Sequence, residues 1–190
     1  MQTVLITGVT GVGKSTIALA VSQMCGLRVT DYADFILECW PGLTKDDIER
    51  ASWQARREMY DEVREYVIRA YAHNPAPGLQ LLENHLSVIA DGCVTVFPVE
   101  GYWKYSLSGV IVLEASTDEI ILRRASDPSR RRLRWTQGLI DAQQTANREV
   151  ALEITRMYSV PLLVARNPDG CQPIPMVAQW LGSLSSTRSG

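Results

Sequence analysis

The chain has 190 residues, of which 46% are hydrophobic and 21% charged, and its formal net charge at pH 7 is −2. This size and composition predict one globular domain with a substantial core, and no apolar run approaches the roughly 20 residues that a transmembrane helix needs. The slight negative charge does not suggest a nucleic-acid-binding protein. The four cysteines include no C-x-x-C pair, and the chain begins directly with a strand pattern. We therefore expect a cytoplasmic protein that does not bind membranes.

The N-terminal part of the chain predicts a strand, a glycine-rich turn and a helix. Residues 4–7 are apolar or β-branched, which is typical of a buried strand, and apolar residues recur at helical spacing over 15–25. Between them, eight residues match the phosphate-binding pattern G-x-x-x-x-G-K-[ST] without a mismatch. The predicted nucleotide-binding residues are these eight and the one that follows: Gly8, Val9, Thr10, Gly11, Val12, Gly13, Lys14, Ser15 and Thr16.

This turn contains the residue types that phosphate binding requires. Gly8, Gly11 and Gly13 permit positive φ angles, so that backbone N–H groups can surround an anion at the N-terminus of the helix. Lys14 is predicted to bind the β- and γ-phosphates of ATP, and the Ser15 hydroxyl to bind Mg²⁺. Kinases, GTPases, motors and ATPases share this loop, so the loop alone does not identify the reaction.

Strands and helices alternate along the rest of the chain. Further strands are predicted at 27–30, 79–82, 109–113 and 161–164. Helices are predicted at 35–40, at 44–73 with Thr44 as its cap, and at 118–125, 136–159 and 174–181. The stretch 86–105 is less periodic, and we interpret it as a long loop that allows a short strand at 94–96. This alternation predicts an α/β protein with the P-loop NTPase fold, in which a five-stranded parallel sheet has helices on both faces.

Acidic residues follow two of the predicted strands. In a parallel sheet, ligands bind beyond the carboxyl ends of the strands, so we expect Asp31 and Glu83 to share a site with the P-loop. Glu83 is predicted to lie near Mg²⁺ together with Ser15. Either Asp31 or Asp34 would orient or deprotonate an acceptor hydroxyl, or hold Mg²⁺ through water. The alternative, which suits Asp34 in particular, is that the carboxylate caps the helix at 35–40.

A cluster of arginines precedes the helix predicted at 136–159. Arg130, Arg131, Arg132 and Arg134 lie within five residues, and the planar guanidinium group matches phosphate oxygens well. We predict that Arg130 and Arg132 stabilise the transferring phosphoryl group and help to exclude water from it. The alternative is a solvated charged loop.

Together these motifs resemble the adenylate kinase family of archaeal type, within the P-loop nucleoside monophosphate kinase superfamily. The resemblance rests on the order and spacing of residues 4–15, 31–38, 110–114, 119–124, 130–132, 147–148 and 167–170, and on Glu83-Asn84-His85. Residues 40–44 and 86–98 depart from the family pattern. Both departures fall on the acceptor side of the expected site, while the donor side and the lid follow the family.

The resemblance implies further site residues and a division of the chain. It implies phosphate contacts from Arg123, Arg124 and Arg148 and a contact near the donor adenine from Asn167. The alternative for Arg123 or Arg124 is a surface ion pair with a neighbouring carboxylate. Contacts with the acceptor are assigned to Asp34, Glu83 and His85. We expect a single kinase domain over 1–182, with an acceptor-binding insertion at about 31–74 and an arginine-rich lid at about 126–136. Residues 183–190 are predicted to form a disordered tail.

We therefore expect an ATP-dependent phosphotransferase that moves the γ-phosphate of Mg-ATP to a nucleotide-type acceptor, most simply a nucleoside monophosphate. The altered acceptor segments leave other hydroxyl acceptors open: a nucleoside, a small metabolite, or a hydroxymethyl base, free or in DNA. The net charge makes DNA the less favoured of these acceptors. A regulatory NTPase switch is the alternative from a different class, and the sequence leaves the oligomeric state open.

Overall fold

The computed structural model describes residues 2–73, 78–100, 102, 106–128, 133–168 and 173–186, and this part of the chain contains seven strands and seven helices. The strands are β1 (Gln2–Thr7), β2 (Arg28–Asp31), β3 (Leu79–Glu83), β4 (Ser87–Ala90), β5 (Cys93–Val96), β6 (Leu107–Glu114) and β7 (Leu162–Arg166). The helices are α1 (Lys14–Cys25), α2 (Tyr32–Cys39), α3 (Lys45–Arg50), α4 (Trp53–His73), α5 (Thr117–Ser126), α6 (Gln137–Tyr158) and α7 (Ile174–Ser186).

Five strands form one sheet in the order β2-β3-β1-β6-β7, and every neighbouring pair is parallel. The central strand is β1, in which Ile6 is aligned with Glu83 of β3 on one side and with Ile111 of β6 on the other. Because all five strands run in the same direction, the segments that follow β1, β2 and β3 lie side by side at one edge. The predicted α/β fold with a five-stranded parallel sheet is confirmed.

Both faces of the sheet are covered, as the alternation of side chains along β1 shows. Val4 and Ile6 belong to a core cluster that includes Ile17 of α1 and Val177 of α7. Leu5, between them, belongs to a second cluster formed with α2, α4 and α6. Successive residues of a strand point to opposite faces, so each cluster fills one side of the sheet. The helices therefore flank the sheet on both sides, as predicted.

The single helix predicted over 44–73 is wrong, because two helices occupy this stretch. Thr44 does cap the first of them, α3, through a capping box in which its side chain and that of Asp47 each accept from the other's backbone N–H. The chain then becomes extended at Ala51. Ser52 starts α4, since its hydroxyl oxygen accepts from Ala55 N. The bend between the helices turns the first residues of α4 towards the carboxyl edge of the sheet.

The long loop predicted over 86–105 contains an antiparallel hairpin formed by β4 and β5. Its two-residue turn is Asp91-Gly92, with φ angles of 52° and 76°. Asp-Gly is a favoured pair for such a turn, because both positions require positive φ. The short strand expected at 94–96 is part of β5, whereas β4 was missed. The four residues of β4 are buried and pack against α6.

The last helix continues beyond its predicted end at residue 181, because α7 runs to Ser186. The tail predicted at 183–190 is therefore helical over its first four residues, and 187–190 lie outside the described residues. Within the part of the chain that the structure describes, no helix combines the length and the hydropathy that crossing a membrane demands.

Candidate active site

The P-loop connects β1 directly to α1 and has the backbone conformation that its glycines predict. Gly8, Gly11 and Gly13 have φ angles of 148°, 97° and 98°. A Cβ atom on Gly13 would lie 2.6 Å from Nδ2 of Asn167, and one on Gly11 would lie 2.7 Å from Cγ of Arg124. Only glycine therefore fits at these two positions, both for its conformation and for the space available.

The lysine of the loop is buried and bent back over its own backbone. Lys14 Nζ donates hydrogen bonds to the carbonyl oxygens of Gly8 (2.9 Å) and Val9 (3.3 Å). The side chains of Val9 and Val12 are fully buried in the core. Of the predicted nucleotide-binding residues, Gly8, Val9 and Val12 contribute to the loop's shape without lining the cavity beside it.

The Ser15 hydroxyl and the Glu83 carboxylate meet at the carboxyl edge of the sheet. Ser15 Oγ donates to Glu83 Oε1 at a distance of 2.8 Å. Burial raises the pKa of Glu83, and the charge of Asp31 adds to this effect, whereas Lys14 and the Ser15 hydrogen bond oppose it. Oxygen atoms of this kind are the ligands that Mg²⁺ prefers, and phosphate and water oxygens commonly complete its shell. The two predicted metal-binding residues are thus placed together.

A cavity of about 470 Å³ opens beside the loop, within the size range of small-molecule sites. The P-loop and α1 contribute Thr10, Gly11, Gly13, Lys14, Ser15 and Thr16. The predicted residues Asp31, Glu83, His85 and Arg123 also line it. Its remaining lining is Ala33, Lys45, Ile48, Glu49, Arg56, Tyr60, Val88, Ile89, Asp127, Trp135 and Gln143. One cavity therefore joins the donor loop to the acceptor-binding insertion and to the base of the predicted lid.

Asp31 and Asp34 are both held by Lys45, the first residue of α3. The Nζ of Lys45 lies 2.5 Å from Asp31 Oδ2 and 2.8 Å from Asp34 Oδ1. Burial alone would lower the pKa of Lys45, but the hydrogen bonds to the two carboxylates outweigh burial and raise it. The helix-capping role considered for Asp34 belongs to Asp31, which accepts from Ala33 N. Asp34 is 60% exposed and does not line the cavity.

His85 lines the cavity as a neutral imidazole. Burial lowers its pKa well below 6.5, and the positive charges of Lys14 and Arg56 lower it further. Its Nδ1 atom has no hydrogen-bond partner among the described residues. The ring therefore adds no positive charge to the cavity at neutral pH.

Arg123 and Asn167 support the P-loop from the side of α5 and β7. Arg123 donates to the carbonyl oxygens of Val12 (3.2 Å) and Asn167 (2.7 Å). Asn167 Nδ2 donates to the same Val12 oxygen at 2.8 Å, and its peptide N–H donates to Glu114 O. Arg123 also lines the cavity, whereas Asn167 lies against Gly13. Of the two, only Arg123 is placed to contact a ligand in the cavity directly.

Arg124 of α5 contacts the P-loop and has a structural role. Its guanidinium group donates hydrogen bonds to Glu49 Oε1 at 2.6 Å and to the carbonyl oxygens of Thr10 and Leu133. The same group stacks over Trp135, with Cζ 3.7 Å from the ring centroid. It connects the acceptor-binding insertion, the P-loop and the segment that follows the arginine cluster. Arg124, for which a phosphate contact was expected, does not line the cavity, and its connecting role was not predicted.

One part of the predicted phosphate clamp, Arg148, does not line the cavity in the structure. Arg148 forms a two-bond ion pair with Glu114, at 2.8 Å and 2.5 Å, and its side chain is 49% exposed. Arg130 and Arg132 lie outside the described residues, so their predicted role stays a prediction.

Several cavity residues were missed by sequence reasoning, and they lie mainly on the acceptor side. Sequence analysis did not assign Arg56, Lys45, Tyr60 or Gln143 to the site. Gln143 could have been noticed because it is a polar residue at one of the α6 positions that recur at three- and four-residue spacing, and these positions are buried. The Asp-Gly pair of the turn could have predicted the β4–β5 hairpin, which supplies Val88 to the cavity.

Comparison with known proteins is consistent with this arrangement. A family model described as "AAA domain" matches residues 4–149, which include the P-loop, the acceptor-binding insertion and half of α6. The chain belongs to this family.

Curated relatives of this AAA-domain chain include adenylate kinases of archaea. The adenylate kinase of Thermococcus sibiricus is 27% identical over 168 residues, covering 84% of this chain and 83% of the relative. That of Thermococcus kodakarensis is 29% identical over 156 residues, covering 78% of each chain. The predicted resemblance to archaeal adenylate kinases, and with it the prediction of a P-loop kinase, is confirmed.

Solved structures show the same fold. A shikimate kinase from Bacteroides thetaiotaomicron superimposes with a TM-score of 0.56 and 13% identity, covering 96% of this chain and 97% of the other. At this level of identity, the likeness concerns the fold alone.

Proposed function

We propose that the protein transfers the γ-phosphate of Mg-ATP to a nucleoside monophosphate. The observation that carries this proposal is that a P-loop with its lysine, serine and acid opens into the same cavity as Arg56, a buried arginine that forms no ion pair with any described residue. The P-loop residues suit a phosphate donor, and the buried arginine suits an anionic acceptor.

On the donor side, the loop's own residues supply what ATP requires. The backbone N–H groups of the loop and the N-terminus of α1 favour phosphate oxygens. Lys14 would exchange its bonds to the Gly8 and Val9 carbonyls for bonds to the β- and γ-phosphates. Ser15 and Glu83 would hold Mg²⁺, which neutralises charge on the phosphates when bound.

On the acceptor side, Arg56 is the residue that would bind an anion. It is only 4% exposed, and its guanidinium bonds the backbone oxygen of Glu49. Its Nε has no hydrogen-bond partner among the described residues, and none of their carboxylates forms an ion pair with it. A buried charge without a counter-ion costs several kcal/mol, roughly, so an acceptor phosphate at this position would be bound strongly.

Transfer between two phosphates needs positioning and charge neutralisation more than proton transfer. Arg123 lines the cavity beside the P-loop and would contact the donor phosphates. The predicted arginine lid with Arg130 and Arg132 would close over the transferring group and exclude water, and Arg148 would exchange its ion pair with Glu114 for a phosphate contact. These lid roles, and cytoplasmic action, are proposed on the strength of the family resemblance.

A hydroxyl acceptor is the second candidate, and Asp31 is the observation that favours it. Asp31 lines the cavity, and a hydroxyl nucleophile needs a carboxylate of this kind to accept its proton. The nucleoside monophosphate is preferred because Asp31 already caps α2 and binds Lys45.

The experiment that tests the acceptor assignment compares Arg56→Met with Arg57→Met. Arg57 is 57% exposed and makes only a surface contact with Asp61, so it controls for the loss of one arginine in the same helix turn. Arg56→Met should raise the KM for AMP by about 100-fold, with little change in the KM for ATP, because a charge-assisted bond to phosphate is lost. Equal kinetics of the two variants would contradict the proposed acceptor site.

A further inference from the structure

Gln143 on α6 is a buried polar residue whose orientation is fixed by β4. It is 1% exposed, and its Nε2 donates to the carbonyl oxygen of Ser87 at 2.9 Å. A carbonyl oxygen can only accept a hydrogen bond, so the amide nitrogen of Gln143 must be the atom facing Ser87. The Ser87 hydroxyl donates in return to the backbone oxygen of Gln143 at 3.4 Å. The side-chain oxygen Oε1 is thereby turned away from β4.

Gln143 Oε1 has no hydrogen-bond partner in the part of the chain that the structure describes. The residue nevertheless lines the cavity. A buried acceptor that stays unsatisfied destabilises a protein, so such groups are rarely retained without a partner. A ligand that enters the cavity is the partner that this position can receive.

The surroundings of Gln143 restrict what that ligand group can be. Val88 and Ile89 of the same hairpin line the cavity and are apolar. A carbonyl oxygen repels the oxygen atoms of a phosphate and attracts an N–H or O–H donor. Arg56 has the opposite preference, since it attracts an anion. The two residues therefore favour different groups of one acceptor: Arg56 favours an anion, and Gln143 favours a hydrogen-bond donor.

We propose that Gln143 Oε1 determines acceptor specificity by accepting a hydrogen bond from an N–H or O–H group of the acceptor. The phosphate of that acceptor is directed to Arg56, and its donor group to Gln143. This inference rests on the proposed function, because it concerns the acceptor of that same site. In a nucleoside monophosphate, the donor is either a ribose hydroxyl or the exocyclic amine of the base.

The test is a titration of the full-length chain with three probes while the donor site is filled by a non-hydrolysable Mg-ATP analogue. AMP carries both kinds of donor, 2′,3′-dideoxy-AMP lacks both ribose hydroxyls, and purine riboside monophosphate has a hydrogen atom in place of the amine. The wild-type chain should bind AMP at least about tenfold more tightly than one of the two analogues. The analogue that is rejected identifies the group that Gln143 binds.

Gln143→Met should remove this discrimination, with AMP and the rejected analogue binding equally, and it should leave the affinity for the ATP analogue unchanged. The matched control is Gln144→Met, because Gln144 Oε1 accepts from Ala115 N and the residue does not line the cavity. This control should keep the wild-type ratio. If Gln143→Met does not fold, Gln143→Asn, which withdraws the oxygen by one methylene group, should show the same loss.

Wild-type binding ratios in a folded Gln143 variant would overturn the inference and leave the proposed function standing. Failure of the wild-type chain to discriminate against either analogue would overturn it as well. If the wild-type chain binds none of the three probes, the proposed function fails, and the inference that rests on it fails too.

Discussion

The ion pair between Arg124 and Glu49 allows a quantitative prediction about stability. Both residues are only 7% exposed, and their atoms approach to 2.6 Å. Arg124→Met removes the cation and leaves the carboxylate of Glu49 buried without it. Breaking a buried ion pair in this way costs about 3–5 kcal/mol of the free energy of unfolding. For a domain of this length, 1 kcal/mol corresponds to about 2–4 °C, so we expect the melting temperature to fall by about 6–20 °C.

The assay is urea and thermal unfolding of four proteins: wild type, Arg124→Met, Glu49→Met and the double variant. Replacing a whole buried pair by apolar side chains is much less costly than breaking it, so the double variant should regain about 1–3 kcal/mol relative to Arg124→Met. Arg57→Met is the surface control and should change stability by less than about 0.5 kcal/mol. A loss below about 1 kcal/mol in Arg124→Met would refute the reasoning that this arginine joins three segments of the fold.

Three further predictions concern the site. Lys14→Ala should keep the fold, as judged by circular dichroism, and lower turnover by about 100-fold or more, because one preorganised charge is lost; normal turnover would contradict the loop assignment. Glu83→Gln should raise the Mg²⁺ concentration needed for half-maximal activity by about tenfold. Since burial raises the pKa of Glu83, we expect the wild type to lose Mg²⁺ affinity on acidification, and Glu83→Gln should abolish this loss. The pKa of His85 is lowered on folding, so below about pH 6.5 the unfolded chain binds a proton that the native chain does not, and stability falls as the pH falls. His85→Asn should reduce this slope by up to about 1.4 kcal/mol per pH unit in urea unfolding between pH 7.5 and 5.5; an unchanged slope would show that His85 is not buried in its neutral form.

The donor half of the site could be predicted from the sequence because its function is carried by local backbone geometry. The glycines, Lys14 and Ser15 are close in sequence, and the strand and helix on either side fix where they lie. Glu83 was predicted as well, since the end of a neighbouring parallel strand must lie at the same edge of the sheet. The structure then supplies the contact, a hydrogen bond of 2.8 Å from Ser15.

The acceptor half could not be predicted in the same way, because its residues meet only through tertiary packing. The break at Ala51 depends on the extended backbone there, which a helical pattern over 44–73 conceals. Gln143 of α6 is oriented by its hydrogen bond to Ser87 of β4, and the sequence of β4 resembles that of a loop. Arg56 and Arg57 are neighbours of the same type, and only the rotation of α4 distinguishes the buried one from the exposed one.

The most direct test of the central claim is an acceptor screen with Mg²⁺ and γ-labelled ATP. It should include nucleoside monophosphates, nucleosides, small hydroxyl metabolites and DNA containing hydroxymethyl bases, with a control that contains no acceptor. The account predicts that the label is transferred to a nucleoside monophosphate, and that Lys14→Ala abolishes this transfer. Slow hydrolysis of ATP that no acceptor accelerates would contradict the account and would indicate a regulatory NTPase instead.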